Sequence, residues 1–158
     1  MVKAISLTVL TSCIFCSVFC EPVIYKDCSG EAGGGLSILK EVDITPCSPQ
    51  PCILKRGSED TIQVTFLPKV NITAAKSIVS GRIGLAPFFL PFPLDNPDVC
   101  KDHGIKCPMI AGKQYTFKTV LPILRAYPPD QVLVKWEMHT SDQANKVVFC
   151  WMVPVRIE

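Results

Sequence analysis

Residues 85–94 carry no charged side chain and no side-chain hydrogen-bond donor, and they include three prolines and three phenylalanines. Proline is excluded from a helix interior because it lacks the backbone N–H and its ring clashes with the preceding turn. The segment is therefore predicted to be extended. Two interpretations remain open from these residues alone. The segment is either a proline-stiffened edge strand over an ordinary core or the rim of a lipid pocket.

Residues 1–20 have the pattern of a secretory signal peptide. Lys3 precedes an apolar run that ends at the small residue Cys20, which predicts cleavage before Glu21. A transmembrane helix fits less well, because the apolar run is at the short limit for crossing a bilayer. Residues 21–158 are then the mature protein, and this length predicts one domain with a single core.

The charge balance of the mature chain is nearly neutral. Loss of Lys3 leaves 15 of the 16 basic residues beside all 14 acidic residues, a net charge of +1. A nucleic-acid partner or a strongly acidic substrate is therefore not predicted.

Six cysteines remain in the mature chain. An even count in a secreted protein predicts three disulfides, although six cysteines allow 15 connectivities. Zinc binding is the poorer alternative, because the mature chain has no C-x-x-C pair and secreted thiols oxidise. Proximity along the chain favours two short loops and leaves the outer two cysteines to pair: Cys47–Cys52, Cys100–Cys107 and Cys28–Cys150.

Alternation of apolar and polar residues predicts strands rather than helices. Residues 22–28 indicate a short first strand, residues 55–60 a polar hairpin connection, and residues 122–129 a proline-rich corner. The strands with clear period-2 or β-branched patterns are residues 36–45, 62–66, 76–85, 115–121, 132–139 and 147–157. The last two are predicted to form a hairpin. The chain is thus predicted to be all-β, an immunoglobulin-like β-sandwich of about seven strands.

The inward positions of this pattern are rich in aromatic residues. Composition does not distinguish a filled core from a hollow one. The aromatic residues predicted to face inward are Phe66, Phe88, Phe89, Phe92, Phe117, Tyr127, Trp136, Phe149 and Trp151.

Residues that perform catalysis are scarce. The chain has two histidines, His103 and His139, and both are expected at the solvated surface. It lacks the G-x-S-x-G, H-E-x-x-H and glycine-rich phosphate-loop motifs. An enzyme, a metal site and a cofactor are therefore not predicted.

Several short motifs resemble the lipid-recognition (ML) family over the whole mature chain. They include Pro-Cys-Ser-Pro-Gln-Pro-Cys at 46–52, Pro-Phe-Pro at 91–93, Tyr-Pro at 127–128 and Phe-Cys-Trp at 149–151. The resemblance implies a sandwich whose sheets are splayed to hold one cholesterol-like sterol in a cavity. It places Phe92, Ile123 and Tyr127 at the pocket entrance and wall. The full set of residues expected to contact the sterol is Phe92, Ile123, Tyr127, Phe117, Trp136, Trp151, Val64, Phe66 and Pro122.

The resemblance also implies a function and a location. The expected protein is a secreted, lysosomal, monomeric carrier without a cofactor, which passes sterol between membranes or to a lysosomal membrane sterol transporter. The alternative is a secreted lipid-recognition module in innate immune signalling or lipid scavenging. Members of the family often carry a glycosylation sequon at the position of Gln63, whereas here Asn71 begins the sequon Asn-Ile-Thr.

Overall fold

The computed structural model describes residues 22–158 except 32 and 48, so the predicted signal peptide lies outside the described residues. Nine strands form within the described part of the chain. They are β1 (Lys26–Asp27), β2 (Ser37–Thr45), β3 (Cys52–Leu54), β4 (Glu59–Pro68), β5 (Ala75–Ile83), β6 (Leu90–Phe92), β7 (Tyr115–Pro122), β8 (Gln131–Thr140) and β9 (Val147–Ile157).

Two sheets face each other as a sandwich, which confirms the predicted fold class. The larger sheet has the order β1-β9-β8-β5-β6, and β3 adds a parallel pairing to the far half of β9. The smaller sheet has the order β2-β4-β7. The strand number exceeds the predicted seven by two, because β3 and β6, each of three residues, were not predicted. Segments this short show little periodicity to detect.

The predicted hairpin of the last two long strands is confirmed, and it forms the centre of the core. Trp136 on β8 lies directly opposite Trp151 on β9, and their rings stack with centroids 5.8 Å apart. Phe117 on β7 meets the edge of Trp136 from the other sheet at 6.0 Å. All three rings are buried, so the two sheets are joined by aromatic packing at this level.

Because of a bulge near the start of β9, the first side chains of this strand do not point to the predicted sides of the sheet. Met138 pairs with Phe149 but His139 pairs with Val147, so one residue of β9 is extra. The extra residue shifts the alternation. As a result Val148, rather than Val147, joins the main core, while Val147 packs in a small outer cluster with Cys150 and Met152.

Other local predictions are wrong for reasons of tertiary structure. Phe88 is exposed, and Phe89 packs on the outer face of the larger sheet with Arg82 5.5 Å from its ring centroid. Glu59 and Asp60 belong to β4 rather than to a hairpin connection. Only two residues of the predicted first strand, 22–28, are strand.

The three disulfides form as predicted, between Cys28 and Cys150, Cys47 and Cys52, and Cys100 and Cys107. The prediction that His103 lies in solvent is wrong. Its ring is buried against Phe117, and its two nitrogens lie 3.1 Å from the carbonyl oxygens of Lys118 and Asn96. His103 therefore fixes the loop that the Cys100–Cys107 bridge closes.

Across the ranges that the structure covers, no helix is long and apolar enough to cross a membrane.

Candidate functional site

A cavity of about 210 Å³ lies between the two sheets at one end of the sandwich, and we call it the main cavity. The larger sheet contributes residues of β5, β6, β8 and β9, while β7 and the loop after it contribute from the opposite side. Apart from Ser80 and Tyr127, no residue of its lining has a polar side chain. A site of this composition suits an apolar ligand.

The main cavity has an open end and a closed end. Leu90, Pro91 and Pro128 line it and are exposed, so they mark the mouth. Its lining also includes Val79, Ile123 and Val155, which are buried. The cavity therefore runs from the exposed edge strand β6 into the interior.

Two half-buried aromatic rings line the cavity close to this mouth. The rings of Phe92 and Tyr127 meet edge to face, with centroids 5.2 Å apart. Burial, and then the negative charge of Asp95, raise the pKa of Tyr127, which keeps its hydroxyl neutral.

A second, smaller cavity of about 20 Å³ adjoins the closed end, and we call it the inner cavity. Its lining includes Ile44, Asp60, Trp136 and Trp151. Four side chains line both cavities and therefore lie between them: Leu54, Leu121, Val134 and Val155.

Asp60 is the one ionisable residue of the inner cavity. Its side chain is 1% exposed, and burial raises the pKa of its carboxyl from 3.8 to about 6. Among the residues that the structure describes, its Oδ2 has no hydrogen-bond partner, and neither has Nε1 of Trp151. By contrast, Nε1 of Trp136 donates to Oγ of Ser77 at 3.4 Å. The inner cavity is thus lined by two residues that each carry an unpaired buried polar atom.

The predicted sterol-contacting residues fall into three groups. Phe92, Ile123 and Tyr127 line the main cavity, whereas Trp136 and Trp151 line the inner cavity. The others lie elsewhere: Val64, Phe66 and Phe117 are buried in the core outside both cavities, and Pro122 lies in an exposed groove beside the mouth.

Sequence reasoning missed part of the lining. Val132, Val134 and Val155 line the main cavity. They point to the same inward side as the two tryptophans on β8 and β9, so the alternation of the sequence contained the signal for them. Asp60 points to the same side of β4 as Ile62, but because it is charged it was assigned to the polar hairpin connection predicted at residues 55–60. Among the described residues, no group of three His, Cys, Asp or Glu side chains could hold a metal ion.

Comparison with known proteins gives consistent results. A protein named NPC intracellular cholesterol transporter 2 from Bos taurus is 37% identical over 142 residues, covering 90% of this chain and 89% of that protein. The protein of the same name from Danio rerio is 39% identical over 137 residues, covering 87% and 86%. Both alignments thus cover most of this chain and most of each relative.

Solved structures agree in fold. A Niemann-Pick type C2 protein from the Japanese carpenter ant superimposes with a TM-score of 0.76 at 25% identity, covering 86% of this chain and all of that one. Chicken MD-1 complexed with lipid IVa gives a TM-score of 0.51 at 14% identity over 84% of this chain and 86% of that one, a likeness in fold alone. The model of the ML domain family matches residues 22–157. With the fold, the cavity and these relatives in agreement, the chain belongs to the ML domain family.

Proposed function

We propose that this protein is a non-enzymatic carrier that holds one sterol of the cholesterol class between its two sheets. The observation that carries the proposal is the apolar main cavity, which opens beside β6. Burial of a sterol there is driven by apolar area, at ~25 cal/mol per Å², and needs no catalytic group. The relatives named as cholesterol transporters support the ligand class.

Exposed apolar residues near the mouth support transfer to and from membranes. Leu85, Phe88 and Leu90 are 103%, 57% and 47% exposed, and they lie on β6 and the loop that leads to it. Exposed apolar groups concentrated in one place mark contact with a lipid or protein surface. A sterol leaving the mouth here passes directly into a membrane or to a lysosomal membrane sterol transporter, without crossing water.

In this carrier Phe92, Ile123 and Tyr127 contact the sterol in the main cavity. The main cavity is smaller than the ~300–1,000 Å³ of most small-molecule sites, so a bound sterol displaces side chains at its closed end. That displacement joins the main and inner cavities and brings Trp136 and Trp151 to the ligand. Contacts from Val64, Phe66, Phe117 and Pro122 stay predictions.

Phe92→Ala tests the assignment of the mouth. The variant removes ring contacts with the sterol, so affinity for a fluorescent sterol should fall by about tenfold or more, since each 1.4 kcal/mol corresponds to a factor of ten. Because the ring is half-buried, the free energy of unfolding should fall by less than the roughly 3–5 kcal/mol typical of a buried phenylalanine. The two measurements are equilibrium sterol binding and chemical denaturation of the ligand-free protein with disulfides intact.

Phe88→Ala is the matched control, because Phe88 is exposed in the same segment and lines neither cavity. It should bind fluorescent sterol like wild type. Unchanged sterol affinity in Phe92→Ala alongside a large stability loss would assign Phe92 to the core instead. Organic extraction of wild-type protein purified from eukaryotic cells identifies the natural ligand, and an extract without sterol would favour the alternative of a general lipid-recognition module.

Secretion and lysosomal delivery belong to the same proposal, and Asn71 offers a test of passage through the secretory pathway. Asn71 is exposed, and its Oδ1 accepts a hydrogen bond from the backbone N–H of Ala111 at 2.8 Å. That bond uses the side-chain oxygen and not the nitrogen to which glycans attach. Protein secreted from eukaryotic cells should therefore carry glycan here. Asn71→Gln should migrate faster on a gel, and unaltered mobility would contradict the prediction.

A further inference from the structure

The geometry points to a positioning residue at the mouth of the main cavity: Phe89 holds β6 from the outer face of the larger sheet and thereby sets the rate at which sterol enters and leaves. This inference rests on the proposed function, because it concerns exchange of the ligand of the same site. Phe89 does not line the main cavity, so its effect passes through β6. Phe89 should therefore govern the exchange rates and leave the equilibrium affinity almost unchanged.

The first support is that aromatic side chains hold the segment around β6 from both faces of the larger sheet. Phe92 packs on the main core and meets the ring of Tyr127 at the mouth. Phe89, three residues earlier, is half-buried on the opposite face, where it packs on the outer cluster that contains the Cys28–Cys150 bridge. The strand at the mouth is thus fixed between an inner and an outer aromatic contact.

The second support is that backbone pairing holds β6 weakly. This strand has three residues and forms the edge of its sheet, where it pairs with β5. Pro91 lies in its middle, and Pro87 and Pro93 flank it, and none of these prolines has an N–H to donate. Side-chain contacts therefore contribute much of what keeps this segment in place. Because all three residues of β6 line the main cavity, a shift of the strand changes the width of the mouth.

The third support is a pair of cations against the ring of Phe89. The guanidinium carbon of Arg82 on β5 lies 5.5 Å from the ring centroid, and Nζ of Lys135 on β8 lies 5.9 Å from it. Such contacts are attractive because the face of an aromatic ring is electron-rich. β5 and β8 are both interior strands of the sheet. Phe89 therefore ties the segment at the mouth to two strands that are paired on both sides.

Sterol exchange requires these contacts to give way. The main cavity is small, so the mouth widens while a sterol passes, and β6 is the strand of the mouth that is paired on one side only. Weakly paired edges of this kind open locally more readily than the centre of a sheet. Loss of the Phe89 contacts favours the open mouth with and without ligand. Binding and release then accelerate together, and the two effects cancel in the dissociation constant.

Release of a fluorescent sterol into excess cyclodextrin, followed by stopped flow, tests the inference alongside equilibrium titration. Phe89→Ala should release sterol about tenfold faster than wild type, a change of about 1.4 kcal/mol in the activation barrier. Its dissociation constant should stay within about threefold of wild type, because binding accelerates as well. Phe89→Leu keeps the apolar contact and loses the contact with the cations, so its release rate should lie between the two. It also provides the test if the alanine variant does not fold.

Phe89→Tyr keeps the ring and should release sterol at the wild-type rate. Phe88→Ala is the matched control, because Phe88 is the exposed neighbour and lines neither cavity, and it should also behave like wild type. Three results overturn the inference and leave the carrier function intact: wild-type release from both Phe89→Ala and Phe89→Leu, fast release from Phe89→Tyr, or a loss of affinity equal to the gain in release rate. Failure of the wild-type protein to bind sterol overturns both proposals.

Discussion

Val134→Trp is expected to lose sterol binding while keeping the fold. Val134 lines both cavities, so the added ring atoms occupy space that the sterol needs. Affinity for a fluorescent sterol should fall by at least about 100-fold, or about 2.7 kcal/mol. The free energy of unfolding should change by no more than the ~1–3 kcal/mol of an overpacked site, because the ring enters a cavity instead of a filled core.

Val70→Trp is the matched control for this substitution. Val70 is exposed between β4 and β5 and lines neither cavity. The control should bind sterol like wild type and unfold like wild type. The two measurements are sterol titration and chemical denaturation. Wild-type affinity in a folded Val134→Trp variant would place the sterol outside the main cavity and would contradict the proposed function.

Asp60→Asn is expected to stabilise the ligand-free protein at neutral pH and to have little effect in acid. Burial raises the pKa of Asp60 from 3.8 to about 6, so the folded state holds the proton more tightly than the unfolded state. The contribution of Asp60 to stability is therefore fully present below pH ~4 and is lost as the pH rises to about 6. A pKa difference of this size between the folded and unfolded states corresponds to about 3 kcal/mol in the free energy of unfolding.

Asparagine cannot ionise, so the variant should lack this part of the pH dependence. Denaturation at several pH values should show Asp60→Asn more stable than wild type by about 3 kcal/mol above pH ~7, with the difference closing towards pH ~4. Asp102→Asn is the control, because Asp102 is exposed and asparagine also tolerates its positive φ of 62°. A constant difference between Asp60→Asn and wild type at all pH values would contradict the buried, titrating carboxyl.

The sequence alone determined the long strands and the disulfides. Strict alternation along β4 and β8 identifies a buried face because successive side chains of a strand point to opposite sides. Proximity identified the two short disulfide loops and left Cys28 and Cys150 as the third pair. Strands and disulfides depend on local pattern and chain separation, which a sequence displays directly. The family resemblance, and not the local pattern, assigned Phe92, Ile123 and Tyr127 to the entrance, and these residues lie together on one cavity.

The tertiary structure alone decided whether the interior is filled or hollow. Phe117, Val64 and Val134 all face inward, yet only Val134 lines a cavity, because this depends on how far the sheets separate at that level. The same holds for Asp60, whose charge suggested a solvated turn. It is buried because β4 begins at Glu59, which puts Asp60 on the inward face of the strand beside Ile62, where both line the inner cavity. Periodicity reports which side of a strand faces inward, but it contains no information on the distance between two sheets, and that distance creates the site.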